Sequence, residues 1–386
     1  MGRECLLLKT IVVECRTPRV PSRSDEVASM AKSIGYEVIG TEVQNRHRIH
    51  GATCVGPGRL VEIKKLVDDQ SVQMVIFANA LSSSKIFKIQ KVLGLEVNVL
   101  DRNLLILEVF DKRAMTTEAK LQIELARLKY TFSWGREFIR VGGLRGGQVG
   151  WSGPGEYPYV DYEKEYRKRI SHIESQLREL YKKKDLLRER RHTLGFLIVA
   201  LAGYTQSGKT TFFNRLSMES KTVGLGPFTT LSTSARRVTV QGDGGDTSFI
   251  LVDSIGFIED MHQIILDAFN TTLGEIIQAD VILLFVDVSE DLSMMRRKLS
   301  TSRKILMQTD IVSRIIICAN KVDKITEETL DNAEKEIVSF FPTLPIGAIS
   351  ASTGKDIDKL LSIVTSALRK IEELKDRTTK PPTNTN

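Results

Sequence analysis

Two rhythms of apolar and polar positions alternate along the chain. Short apolar runs at residues 10–14, 37–41, 74–78 and 97–100 read as strands. Amphipathic stretches at 24–34, 58–68 and 83–93 lie between them and read as helices. Strand and helix in turn predict a small α/β domain with a parallel sheet, residues 1–115. The pattern then changes. Residues 117–130 open with a threonine and an acidic residue, a helix start, and 161–192 contain neither glycine nor proline. Tyr166, Ile170, Ile173, Leu177, Leu180 and Leu187 form a heptad-like seam there, interrupted by Lys184. A helix that long needs a partner for its seam, so residues 116–192 are read as an antiparallel helical pair joined by a glycine-rich loop, 141–156.

From residue 193 the strand–helix rhythm returns. Strands are expected at 196–202, 237–241, 248–252, 281–286, 314–319 and 345–349, with a hairpin turn at the glycine run 242–246 and a closing helix at 356–375. The fold class is α/β: an N-terminal α/β domain, a helical pair, and a third domain (193–375) with a mostly parallel sheet. Residues 376–386, ending in KPPTNTN, are expected to be a disordered tail.

The third domain carries the chemistry. Gly203, Tyr204, Thr205, Gln206, Ser207, Gly208, Lys209 and Thr210 match GxxxxGK[ST], directly after a strand and leading through Thr211 into a helix. Glycines let backbone N–H groups wrap a phosphate, and the helix start adds its dipole. Lys209 is assigned to the β- and γ-phosphates and the Thr210 hydroxyl to Mg²⁺. Asn320, Lys321 and Asp323 form an NKxD element at a strand end. A carboxylate in that place accepts from guanine N1–H and the exocyclic amine, and adenine offers neither donor. Ser350 and Ala351, past the last strand, are assigned to backbone support of the base. Asp253 and Gly256 form a DxxG element, with Asp253 for the Mg²⁺ shell and the Gly256 N–H for the γ-phosphate. The hydroxyl-rich stretch from Phe228 supplies a threonine to close over Mg²⁺: Thr230, with Thr229 as the alternative. In this order the elements predict GTP/GDP and Mg²⁺ as ligands, with Lys209, Thr230 and Gly256 in the catalytic roles. Many switch GTPases place a water-orienting glutamine after the DxxG glycine; here it is Phe257. Either hydrolysis is slow without a partner, or the ring packs beneath the switch, and both can hold.

These motifs resemble those of the HflX GTPases. GYTQSGKTT is similar to their GYTNAGKST, FTTLSTSAR to FATLDPTTR, DSIGFI to DTVGFI, and AFNTTLGE at 268–275 to AFxATLEE. Outside the third domain, VGPGR at 55–59 resembles their GxGK element, and 101–130 resembles the segment entering their helical pair. The glycine stretch ends in their GPGE, Gly153 to Glu156. Trp151 and Ser152 depart from the polar or basic pair common there, and Ser232 from an aspartate. The resemblance implies a Ras-like GTPase domain, association with the large ribosomal subunit and its rRNA, and GTPase activity raised by the ribosome. It also supports Thr230.

Bulk properties bear on partners. Lys and Arg number 55 against 48 Asp and Glu, a net charge of +7 that fits RNA and equally an ordinary solvated surface. Basic residues outnumber acidic ones eleven to seven over 161–192, which leaves the same two readings open. Cys5, Cys15, Cys54 and Cys318 show no CxxC spacing, as expected of reduced thiols in a cytoplasmic protein. No apolar run approaches the ~18–20 residues that span a bilayer. A monomer is expected. In the glycine stretch, Arg140 and Arg145 suit phosphates and Trp151 suits base stacking, which suggests a loop that orders on rRNA. The alternative is a plain turn between packed helices.

Overall fold

The computed structural model describes residues 8–18, 20–94, 96–114, 116–142, 157–193, 196–217, 234–241, 245–253, 256–257, 262, 264–265, 279–307 and 314–379. By packing the chain forms two compact units. One comprises residues 1–181, 225–227 and 261–268; the other comprises 182–224, 228–260 and 269–386.

The first unit opens with strand β1 (Lys9–Arg16), helix α1 (Ser24–Ser33), β2 (Glu37–Asn45) and α2 (Pro57–Asp69). It continues with β3 (Met74–Phe77), α3 (Ser83–Leu93), β4 (Asn98–Asp101) and α4 (Arg102–Arg113). The four strands are parallel, in the order β2-β1-β3-β4. Thr10 to Cys15 are all buried, which is why this stretch reads as a nearly continuous apolar run. Asp101 caps α4. Its Oδ1 accepts from Leu104 N–H at 2.9 Å and its Oδ2 from Leu81 N–H at 3.1 Å, with the Tyr130 hydroxyl as a third donor. Asn103 Nδ2 donates to that hydroxyl at 3.0 Å. Burial pushes the Asp101 carboxyl upward, against the pull of these donors.

Helix α5 (Thr117–Gly142) runs twelve residues beyond the stretch expected from periodicity, and α6 spans Tyr157–Thr193. The apolar phase was readable only to Tyr130, but no proline follows and Gly135 is the only glycine before Gly142, so the helix continues. The two helices are antiparallel: Gln122 Nε2 donates to the Tyr181 hydroxyl at 3.1 Å, while Phe132 meets Tyr166 further along, ring centroids 6.0 Å apart. Leu125, Ile173 and Leu177 are buried in the seam, with Leu121, Leu128, Ile170 and Tyr181 packed against them. Lys129–Glu174 and Arg169–Glu124 ion pairs flank it. The glycine-rich loop, with Arg145, Trp151 and Gly153 to Glu156, lies outside the described residues.

In the second unit the elements are β5 (Leu197–Gly203), α7 (Lys209–Ser217), β6 (Ser234–Val240), β7 (Thr247–Asp253) and β8 (Val281–Asp287). Then come α8 (Leu292–Met307), β9 (Ile315–Asn320), a 3-10 turn (Val322–Lys324), α9 (Glu327–Phe340), β10 (Ile346–Ile349) and α10 (Ile357–Thr379). The sheet order is β10-β9-β8-β5-β7-β6. All neighbours are parallel except β6, which pairs antiparallel with β7, Val240 opposite Thr247. That is the expected hairpin. Both faces of the central strands β5, β8 and β9 are buried. Ile198, Ala200 and Ala202 enter one cluster and Leu197, Val199 and Leu201 the other, so β5 has no polar face to alternate. The closing helix continues to Thr379, four residues into the expected tail, because Pro381 is the first breaker after residue 356. Residues 380–386 lie outside the described residues. Among the described residues no helix is long and apolar enough to cross a membrane.

Candidate functional site

In the parallel part of this sheet the strands share one direction, so the C-terminal ends of β5, β8 and β9 lie together. The loops leaving such ends form the crevice where open α/β sheets take ligands.

The loop after β5 bends sharply. Gly203 has φ +132°, and a Cβ there would lie 2.4 Å from the Phe285 carbonyl oxygen. Gly208 has φ +99°, and its Cβ would lie 2.0 Å from Asn320 Nδ2. Gln206 is also left-handed, at φ +65°. Glycine is therefore required at Gly203 and Gly208 both for backbone conformation and for space. Lys209 opens α7 and folds back over the loop, donating from Nζ to the carbonyls of Gly203 at 3.0 Å and Tyr204 at 2.7 Å. Burial pushes its ammonium down to about 8, with Asp253 opposing and Lys298 adding to the shift. Thr210 is buried, and its hydroxyl donates to Asp253 Oδ2 at 3.2 Å. Thr211 follows in the first turn of α7, half-buried.

Asp253 ends β7 and is fully buried. The DxxG glycine, Gly256, sits tightly under the loop: a Cβ would be 2.8 Å from Thr205 Cα. Phe257 N–H donates to the Gly203 carbonyl at 2.8 Å, and Thr205 N–H to the Phe257 carbonyl at 3.2 Å. The Phe257 ring is buried in the core among residues that include Val252 and Ala202. The residue in the glutamine position is thus a packing residue, pinned by its backbone to the P-loop. Phe228, Thr229 and Thr230 lie outside the described residues.

Asn320, the last residue of β9, joins three loops. Its Nδ2 donates to the Ser207 carbonyl at 2.7 Å, and its Oδ1 accepts from Ala351 N–H at 2.9 Å. Lys321 follows in a left-handed conformation, φ +74°, which turns the chain into the 3-10 turn that carries Asp323. The side chain of Ser350, with smaller help from the Asp323 amide, Lys324 and Ser352, holds the exposed Asp323 carboxyl below the usual range. Ser350 is buried, and Ala351 packs under the strand ends.

All the residues assigned from the sequence to nucleotide and Mg²⁺ that fall in the described part therefore converge on one rim. Three that sequence reasoning passed over also hold it. Arg215 of α7 donates to the carbonyls of Ala351, at 2.9 Å, and Ser352. Lys298 of α8, held by Glu290 at 2.5 Å, lies 4.8 Å from the Tyr204 ring centroid. Asp287 at the end of β8 pairs with Lys321. None belongs to a contiguous motif. The one signal in the sequence is a charged residue closing an apolar run, at Asp287.

A Gly-rich loop at a strand end, a buried lysine folded over it and a threonine–aspartate pair beside it define the class: a P-loop GTPase. Three family profiles match in succession: "GTP-binding GTPase N-terminal" over residues 22–111, "GTP-binding GTPase Middle Region" over 113–191, and "50S ribosome-binding GTPase" over 198–321. The chain is 39% identical over 312 residues to GTPase HflX of Thermofilum pendens, covering 81% of this chain and 72% of that one. It is 39% identical to GTPase HflX of Thermococcus kodakarensis (78% and 67% covered) and 33% identical to that of Hyperthermus butylicus (89% and 92% covered). This chain belongs to the HflX family of GTPases and is a GTP-hydrolysing enzyme. Among solved structures, a GTP-binding protein from the archaeon Sulfolobus solfataricus in complex with GDP shares the fold. It is 23% identical with a TM-score of 0.50, over 94% of this chain and 99% of that one.

Proposed function

We propose that this GTPase binds GTP with Mg²⁺ on the rim of the second sheet and couples its nucleotide state to association with the large ribosomal subunit. The observation that carries the nucleotide assignment is the pair of hydrogen bonds made by the Asn320 side chain, which fixes the NKxD element against the P-loop and the Ser350–Ala351 turn. In this reading the amides of Ser207 to Thr210 surround the phosphates. Lys209 leaves the two carbonyls it now caps and meets the β- and γ-phosphate oxygens. Asp323 accepts from guanine N1–H and the 2-amine. The Thr210 hydroxyl and the buried Asp253 carboxylate are two hard oxygen donors within 3.2 Å of each other, a donor set that fits Mg²⁺. Bound there, Mg²⁺ supplies charge neutralisation at the phosphates. Lys209 stabilises the charge that develops as water attacks the γ-phosphate in line, and the Gly256 N–H and Thr230 report the γ-phosphate to the two switches. Phe257 has no group that orients water, so the unassisted rate is slow.

Support for the ribosomal partner comes from family membership, from the 50S-binding profile over residues 198–321 and from the basic excess of α6. The rRNA contact in this reading uses the helical pair and its glycine-rich loop. Purified large subunits are sedimented with the protein and a non-hydrolysable GTP analogue, and again with GDP. More protein pellets with the analogue if the reading holds. Equal pelleting in both overturns the coupling and favours a GTP-dependent scaffold without a ribosomal role.

A further inference from the structure

Base recognition by an NKxD element depends on how the loop between its asparagine and its aspartate is held. Here Lys321 stands between them with φ +74° and ψ +31°. A residue with a β-carbon adopts this conformation only at a steric cost, which its surroundings must offset. Glycine, asparagine or aspartate would take it more readily, yet the position is a lysine.

The surroundings are specific. Asp287 is the last residue of β8 and lies directly across the sheet from Asn320. Val288 N–H donates to the Asn320 carbonyl at 3.1 Å, so the two strand ends stay in register through the turn. Asp287 is buried, 7% exposed, and each carboxylate oxygen has its own role. Oδ1 accepts from Ser289 N–H at 3.0 Å and from the Ser289 hydroxyl at 2.6 Å. Oδ2 accepts from Lys321 Nζ. Ser289 fixes the carboxylate, the carboxylate fixes the lysine side chain, and that fixes a turn the backbone alone disfavours. Asp323 lies two residues further on.

We infer that Asp287 is a positioning residue for guanine selectivity: with Ser289 it locks Lys321 in its left-handed turn and so aims Asp323 at the base. Asp287 touches no nucleotide in this arrangement and acts through Lys321. The inference rests on Asp323 being the base reader.

The test compares GDP with inosine diphosphate, which keeps N1–H and lacks the 2-amine. An aimed Asp323 gains from both donors of guanine and from one of hypoxanthine. Displacing it therefore costs GDP more than its inosine counterpart, whereas a merely destabilised protein loses both in proportion. Dissociation constants for both nucleotides are measured by calorimetry on the full chain and on Asp287→Asn. GDP binding should weaken about tenfold, as for loss of a charged hydrogen bond, and the guanine-over-inosine preference should fall roughly threefold or more. Ser289→Ala removes only the anchor of Asp287. It should lower the same ratio by a smaller factor, and it serves as the readout if Asp287→Asn does not fold. Equal weakening of both nucleotides, or an unchanged ratio in the variants that fold, overturns the inference. Asp323→Asn separates the two levels. If it shifts preference from guanine toward xanthine while Asp287→Asn leaves selectivity intact, only the positioning role falls. If Asp323→Asn leaves guanine preference unaltered, the base-reading assignment falls, and the inference with it.

Discussion

Raising the pH should weaken nucleotide binding through a single group, Lys209. Its ammonium is enclosed by the P-loop and capped by two carbonyls, and burial pushes it down to about 8. An exposed lysine ionises near 10.4. Phosphate oxygens within hydrogen-bonding reach restore the charged form, so the bound protein keeps its proton well above pH 8. At pH 8 about half of the free protein has lost that proton while the complex holds it, so binding takes up about half a proton per nucleotide. At pH 7 the uptake is only about a tenth of a proton. From this group alone the dissociation constant rises about tenfold between pH 7 and pH 9. The sign for folding is opposite. The unfolded lysine holds its proton to higher pH than the folded one, so the nucleotide-free fold gains stability as pH rises through 8, by at most about 1.4 kcal/mol per pH unit. GDP titrations by calorimetry at pH 8, in two buffers of different ionisation enthalpy, read the proton directly, and GDP avoids turnover during the measurement. Zero uptake at pH 8 would mean that Lys209 is fully charged before nucleotide arrives. The reasoning from burial would then be refuted.

Three further expectations follow from packing and hydrogen bonding. Gly208→Ala places a Cβ 2.0 Å from Asn320 Nδ2 at φ +99°, so strain adds to the loss of the Asn320–Ser207 bond. GDP affinity should fall at least about thirtyfold. Gly245→Ala, at φ +95° with nothing within 4 Å, carries comparable strain away from the site; it should cost only stability, and matching affinity losses in the two variants would count against the clash. In the first unit, Tyr130→Phe removes a hydroxyl shared by Asp101 and Asn103 and should destabilise the fold by about 1–3 kcal/mol in urea unfolding. An unmoved midpoint would show that the network carries no net stability.

The residues assigned to phosphate and base in the proposed function were legible because each sits in a short contiguous motif beside an apolar run. Gly203 to Thr210 needs only local geometry: a strand end, a tight turn and a helix start. The central strands of the second sheet were legible because burial on both faces makes them almost uniformly apolar, as in residues 197–203, whereas the edge strands β2 and β6 carry polar residues. What the sequence left hidden is how the motifs brace one another. Asn320 reaches Ser207 across 113 positions, and Arg215 reaches Ala351 across 136. Asp287 meets Lys321 only because β8 and β9 are neighbours. Such pairs depend on sheet order, which hydrophobic periodicity does not encode. The length of α5 was missed for a different reason: beyond Tyr130 its apolar phase weakens, while nothing stops the backbone bonds from continuing.

Asn320 has a further consequence, for motion. One side chain closes the P-loop carbonyl of Ser207 and the amide of Ala351 in the same act. Rotating it away opens both bonds together. The phosphate loop and the serine–alanine turn should therefore loosen as one cooperative unit on the hydrogen-exchange timescale, with the Ala351 amide reporting that opening. Nucleotide would then find the site either whole or open, with few half-built forms between.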